Sequence, residues 1–100
     1  MTDTVWDAEV IFSLRRSKVR RIVLAYLVSV YPKYSYISEI ARETELRINE
    51  VCGALNGSSN RYKKEISLVE LGLVEKEERE GVWLYAATDA GKEAWRSFKN

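Results

Sequence analysis

Apolar side chains at Val19, Ile22, Val23, Tyr26, Leu27 and Val30 recur at offsets of 3, 4, 7, 8 and 11 from the first. That spacing predicts a helix from about Lys18 to Val30, with Ser17 as its N-cap and Pro32 as its stop. Leu24 and Val28 form a second stripe on nearly the opposite side, so this helix needs cover on two faces. The cover is expected from the N-terminal segment with Trp6, Ile11 and Phe12, from a last helix with Trp95 and Phe98, or from the same elements of a second copy.

Tyr34 to Ile37 reads as a short extended piece, after which Ser38 caps a helix carrying Ile40 and Ala41 and ending near Thr44. Beyond a turn at Glu45-Leu46, a third helix runs from about Arg47 to Asn56 with Ile48, Val51, Cys52 and Leu55 inward. Gly57-Ser58-Ser59 breaks the chain, and a fourth helix is expected from about Asn60 to Leu71. Gly72 stands at a left-handed terminating position flanked by Leu68 and Leu73, the apolar pair of a Schellman ending. Leu73 to Glu78 and Val82 to Ala87 make a hairpin across Arg79-Glu80-Gly81, and Thr88 caps a last helix from Asp89 to about Lys99.

Composition narrows the chemistry. The 100 residues suit one α+β domain, mainly α with a small β-hairpin, with a core over about 15–88 and terminal segments 1–14 and 89–100 free to pack or dimerise. Histidine is absent, which removes the commonest general base and the commonest zinc ligand, so no enzyme, metal or cofactor is expected. A single cysteine, Cys52, predicts a reducing cytoplasmic setting and a small buried apolar residue. The longest nearly unbroken apolar run, Ile22 to Tyr31, is ten residues, about half a membrane span.

Net charge is +1, but its distribution is uneven. Residues 15–64 hold eleven Lys or Arg against four Glu, whereas residues 65–93 hold three basic residues against eight acidic ones. Such segregation gives a dipolar surface if the basic side chains converge in space.

The order of elements, three short helices closed by a hairpin, is that of a winged helix-turn-helix. Arg15-Arg16-Ser17-Lys18-Val19-Arg20-Arg21, Ser38-Glu39-Ile40-Ala41-Arg42-Glu43 and Val51-Cys52-Gly53-Ala54-Leu55-Asn56-Gly57 resemble archaeal winged helix-turn-helix transcription regulators. Ser67-Leu68-Val69-Glu70-Leu71-Gly72-Leu73-Val74 and Ala87-Thr88-Asp89-Ala90-Gly91-Lys92 extend the resemblance over about residues 12–95. Two positions depart from it: Glu45 where the family often has glycine, and Arg47 where it often has a serine or threonine cap. The resemblance implies a homodimer on double-stranded DNA, with the third helix in the major groove and the hairpin near the backbone.

Read as chemistry, the outward face of the third helix is expected to carry Asn49, Glu50, Gly53 and Asn56, with Arg47 at its margin. Asparagine can pair with adenine, arginine with guanine and glutamate with a cytosine amino group. Ser59, Arg61, Lys63 and Lys64, at the start of the expected fourth helix, make a phosphate site, and Arg79 sits at the hairpin tip. Arg15, Arg16, Lys18, Arg20 and Arg21 are further candidate phosphate contacts, and Trp6, Phe12, Leu24, Val28, Trp95 and Phe98 are the expected dimer surface. The acidic hairpin, with Glu75, Glu77, Glu78 and Glu80, favours the competing reading of a protein-interaction module that does not bind DNA.

Overall fold

A computed structural model describes residues 8–58 and 63–99. It is an α+β fold of five helices and a small antiparallel sheet: α1 (Ala8–Arg16), α2 (Lys18–Ser29), β1 (Ser35–Tyr36), α3 (Ile37–Thr44), α4 (Ile48–Asn56), β2 (Val74–Arg79), β3 (Val82–Ala87) and α5 (Asp89–Lys99). The strand order is β1-β3-β2, so the strand between α2 and α3 closes the edge of the hairpin. Among the described residues no helix is long and apolar enough to cross a membrane.

The long helix forms as its period requires. Ser17 is extended and its hydroxyl accepts the Arg20 N–H at 3.0 Å. Val23, Leu24 and Leu27 are fully buried, joining Val10 and Leu14 of α1 in one core cluster. Leu24 is therefore an interior residue of the single chain, not the dimer contact expected of it, because α1 folds as a helix and packs on α2.

One helix start differs from expectation. The first turn of α3 begins at Ile37, with Tyr36 as N-cap, because the Glu39 carboxylate accepts the Tyr36 N–H at 3.4 Å and replaces the cap expected of Ser38. At α4 the same device recurs: Glu50 accepts the Arg47 N–H at 3.0 Å. Between these helices Glu45 takes the left-handed conformation, φ 62°, that glycine adopts most readily.

The expected fourth helix is absent from the described part of its range. Lys64–Ile66 is one 3-10 turn, and the next residues form further turns. Their amides are claimed elsewhere: Leu68 and Val69 donate to the Ala54 and Leu55 carbonyls of α4, both at 3.0 Å. The Schellman ending survives without its helix, since Leu73 N–H reaches Leu68 O and Gly72 N–H reaches Val69 O, each at 3.0 Å. Leu68 and Leu73 are both fully buried.

The hairpin turns on Glu80 and Gly81, both at positive φ, as a two-residue connection demands. Its register pairs Lys76 with Tyr85 and Glu78 with Trp83 on one face, and Glu77 with Leu84 and Arg79 with Val82 on the other. Thr88 then ties α5 to the sheet: its hydroxyl accepts the Gly91 N–H at 2.9 Å and donates to Gly72 O at 2.7 Å.

Candidate nucleic-acid interface

The inward stripe of α4 is Val51, Ala54 and Leu55, all fully buried where the helix meets α2 and α3. This rotates the helix from the expected phase. Ile48, expected inside, is 56% exposed, and Cys52 is half-buried. Gly53, expected outside as a base-facing residue, is buried. Asn49 and Arg47 are exposed as expected, and Glu50 is half-buried with one carboxylate oxygen engaged in capping.

Asn56 stays on the outward side but is bonded at both ends. Its amide donates to the Tyr85 hydroxyl at 2.9 Å, and its carbonyl oxygen accepts from Lys76 Nζ at 3.5 Å. It thus fixes the sheet against the end of α4. Lys76 lies over the Trp83 ring, 4.8 Å from its centroid, and Trp83 is 45% exposed. Neither residue was among the sequence candidates; the signal was the strand period, which puts both on the sheet face that carries Tyr85.

Arg79 points the other way. On the outer face of the hairpin its Nε donates to Glu77 at 2.6 Å, holding that carboxyl below the usual carboxylate value, and its guanidinium sits 5.2 Å from the Tyr34 ring. The Tyr34 hydroxyl donates to Glu75, which raises its pKa above the ordinary phenol value. Arg79 therefore belongs to an acidic, aromatic surface with Tyr36 and Val82, and not to the side shared with α4.

The basic run around Ser17 divides in two. Arg20 is 3% exposed and donates to the Ser13 carbonyl at 3.1 Å, and Arg21 donates to the carbonyls of Leu14 and Arg15 at 2.7 and 3.2 Å. Both guanidiniums cap the C-terminal end of α1, where positive charge is favoured, so neither offers a free cation as expected. Arg15, Arg16 and Lys18 are exposed. Arg16 and Lys18 meet Lys63 in an open groove of about 380 Å³, lined also by Phe12, Ser17 and Ile66. Lys64 turns instead to a hollow with Glu9, Glu65 and Glu70. Lys63 and Lys64 thus sit at a 3-10 turn, not in the first turn of an α-helix. Ser59, Arg61 and Trp6 lie outside the described residues.

A family model described as EarA-like matches residues 10–97. The chain belongs to the EarA-like family. An uncharacterized protein of Methanocaldococcus jannaschii is 45% identical to it over 86 residues, 86% of this chain and 78% of that relative. No solved structure matches it. The EarA-like match runs from within α1 to within α5, so both terminal helices belong to the family unit. On them, Phe12 is 46% exposed beneath the Arg16 guanidinium, while Trp95 and Phe98 stack 6.0 Å apart, half-buried against the core. Val28 and Trp95 line a hollow of about 310 Å³ with Lys92, Glu93, Arg96 and Lys99.

Proposed function

We propose that this EarA-like chain is a winged helix-turn-helix protein that binds double-stranded DNA as a homodimer and regulates transcription. The reading is supported by the succession α2, β1, α3, α4, β2, β3, with β1 closing the hairpin sheet. The observation that carries it is the open face of α4, which adjoins Lys76 and Trp83 on the sheet, together with the gathering of Arg16, Lys18 and Lys63 in one groove. In this mechanism α4 enters the major groove, Asn49 pairs with adenine and Arg47 with guanine. The groove cations take backbone phosphates and set register without reading sequence. No step is catalytic. The flanks of α1, α2 and α5, at Phe12, Val28, Trp95 and Phe98, join the two copies.

The test is fluorescence anisotropy of a labelled random duplex at several salt concentrations. Three phosphate contacts from the groove contribute a slope in log affinity against log salt of about −3. Lys18→Glu/Lys63→Glu should weaken binding and flatten that slope, and salt-insensitive or absent binding in the natural chain would end this reading. A second reading has its own observation: the outer hairpin face exposes Tyr36 and Val82 among Glu75 and Glu77, a surface suited to a basic protein segment. Under that reading duplex binding is lacking from the outset. Sedimentation equilibrium tests the dimer separately, with Trp95→Ala expected to shift it toward monomer.

A further inference from the structure

The outward face of α4 is more specific than a generic polar helix face. Ile48 and Cys52 are one turn apart, Cys52 and Asn56 are another, and Asn49 lies beside Cys52 and Asn56 at i+3 and i+7. Ile48 stands at the edge of the stripe that buries Val51 and Leu55 three and seven residues on, and as the first residue of the helix it is 56% exposed. The rim of the outward face is polar and cationic, with Arg47 at the N-cap and Lys76 above Trp83 at the far end. An apolar pair framed by amides and cations suits a partner that combines negative charge with small isolated apolar groups.

In the major groove of DNA that apolar group is the thymine 5-methyl, while the other base-edge groups there are hydrogen-bond donors and acceptors. An isoleucine gains nothing from guanine N7 or O6, and a thiol gains little. Opposite each thymine stands an adenine, whose N6 and N7 suit an asparagine amide. Building on the DNA-binding reading above, we infer that Ile48 and Cys52 are specificity-determining residues that read thymine methyl groups, with Asn49 reading the adenine edge beside them. The preferred site therefore carries thymine opposite the first two turns of α4. Asn56, already bonded to Tyr85 and Lys76, holds the sheet in place and reads no base.

The experiment selects bound duplexes from a random pool with the full chain, then remakes the winner with deoxyuridine at each thymine in turn, which removes the methyl group alone. The natural chain should lose about fourfold in affinity at one or two positions, the equilibrium worth of one buried methyl-sized group. In Ile48→Ala or Cys52→Ala the penalty at one of these positions should disappear. Ile48→Ala should melt like the natural chain, since its side chain is largely exposed. A selected duplex indifferent to deoxyuridine, or a penalty that both variants retain, would overturn the methyl reading and leave DNA binding intact. A pool that yields no bound duplex would overturn both, leaving the Ile48 face to a protein partner.

Discussion

Gly57→Ala separates two costs that meet at the end of α4. Gly57 has φ 85° and ψ 164°, a region used essentially by glycine alone, where other residues pay about 1–3 kcal/mol. A Cβ at this position would also stand 2.5 Å from Lys64 Cα and 2.9 Å from Lys64 N. Those are backbone atoms, and the turn that carries them cannot slide freely, because Leu68 and Val69 just beyond it are bonded to α4 carbonyls. Overpacking of this kind adds about 1–3 kcal/mol. The expected loss is thus about 2–6 kcal/mol, a large share of the roughly 5–15 kcal/mol that holds a domain folded. Gly72→Ala supplies the control, since Gly72 has φ 77° but nothing within 4 Å of an added Cβ, leaving a backbone cost of about 1–2 kcal/mol. Urea unfolding followed by tryptophan fluorescence reads both, and each kcal/mol lowers Tm by about 4–8 °C in a domain this size. Equal losses in the two variants would refute the reasoning: α4 would not be seated on the Lys64 turn, and Lys63 would lose its reason to lie beside Arg16 and Lys18.

Other perturbations have equally specific outcomes. Arg20→Met should cost about 1–3 kcal/mol in urea unfolding by leaving the Ser13 carbonyl without its buried donor, yet leave the salt slope of DNA binding unchanged, whereas Arg16→Glu should do the reverse. Glu45→Gly should raise stability by a few tenths of a kcal/mol up to about 1 kcal/mol, the relief of left-handed strain less the added freedom of the unfolded chain, seen as a higher urea midpoint. Asn56→Ala and Tyr85→Phe should weaken duplex binding to a similar extent if Asn56 acts by fixing the sheet; a base-reading Asn56 would make the first variant far worse in anisotropy. Glu39 is held below the ordinary carboxylate value first by the hydrogen bond from Lys33, so its stabilising contribution is complete above the unfolded pKa and fades as pH falls through the lower folded one. Lys33→Ala should flatten that acid limb in thermal melts from neutral pH downward.

Much of this architecture was legible because it rests on local rules. The α2 period, the Ser17 cap and the Thr88 cap each need a few neighbouring residues and are present as read, and the Gly72 ending keeps its bonds without the helix it was expected to stop. The phase of α4 was not legible in the same way. Choosing the most apolar stripe puts Ile48 and Cys52 inside, but Val51, Ala54 and Leu55 fill the interior, Gly53 is buried too, and Ile48, in the first turn, is left exposed. Likewise the spacing of Ile66 and Val69 suits a helix, yet the carbonyls left free at the end of α4 bind the Leu68 and Val69 amides and stop one forming. The basic run at 15–21 reads as one cluster because the break at Ser17 hides which guanidiniums fold back under α1.

The acidic hairpin yields to the same distinction between sequence order and spatial side. Counting charges along the hairpin sets four glutamates against Lys76 and Arg79 and makes it a poor neighbour for phosphate. A strand, however, sends alternate residues to opposite faces. Glu75 and Glu77 go outward with Arg79, and Lys76 goes to the side that meets Asn56 and α4, accompanied at the tip by Glu78. Exposed charges act over about 8–10 Å at physiological salt. A polyanion lying along α4 would therefore respond first to Lys76 and only weakly to the outer pair, which are bonded to Arg79 at Glu77 and to the neutral Tyr34 hydroxyl at Glu75. One hairpin can thus be basic toward a duplex and acidic toward a protein. Charge reversal at Lys76 should then affect DNA affinity far more than neutralising Glu75 and Glu77 together.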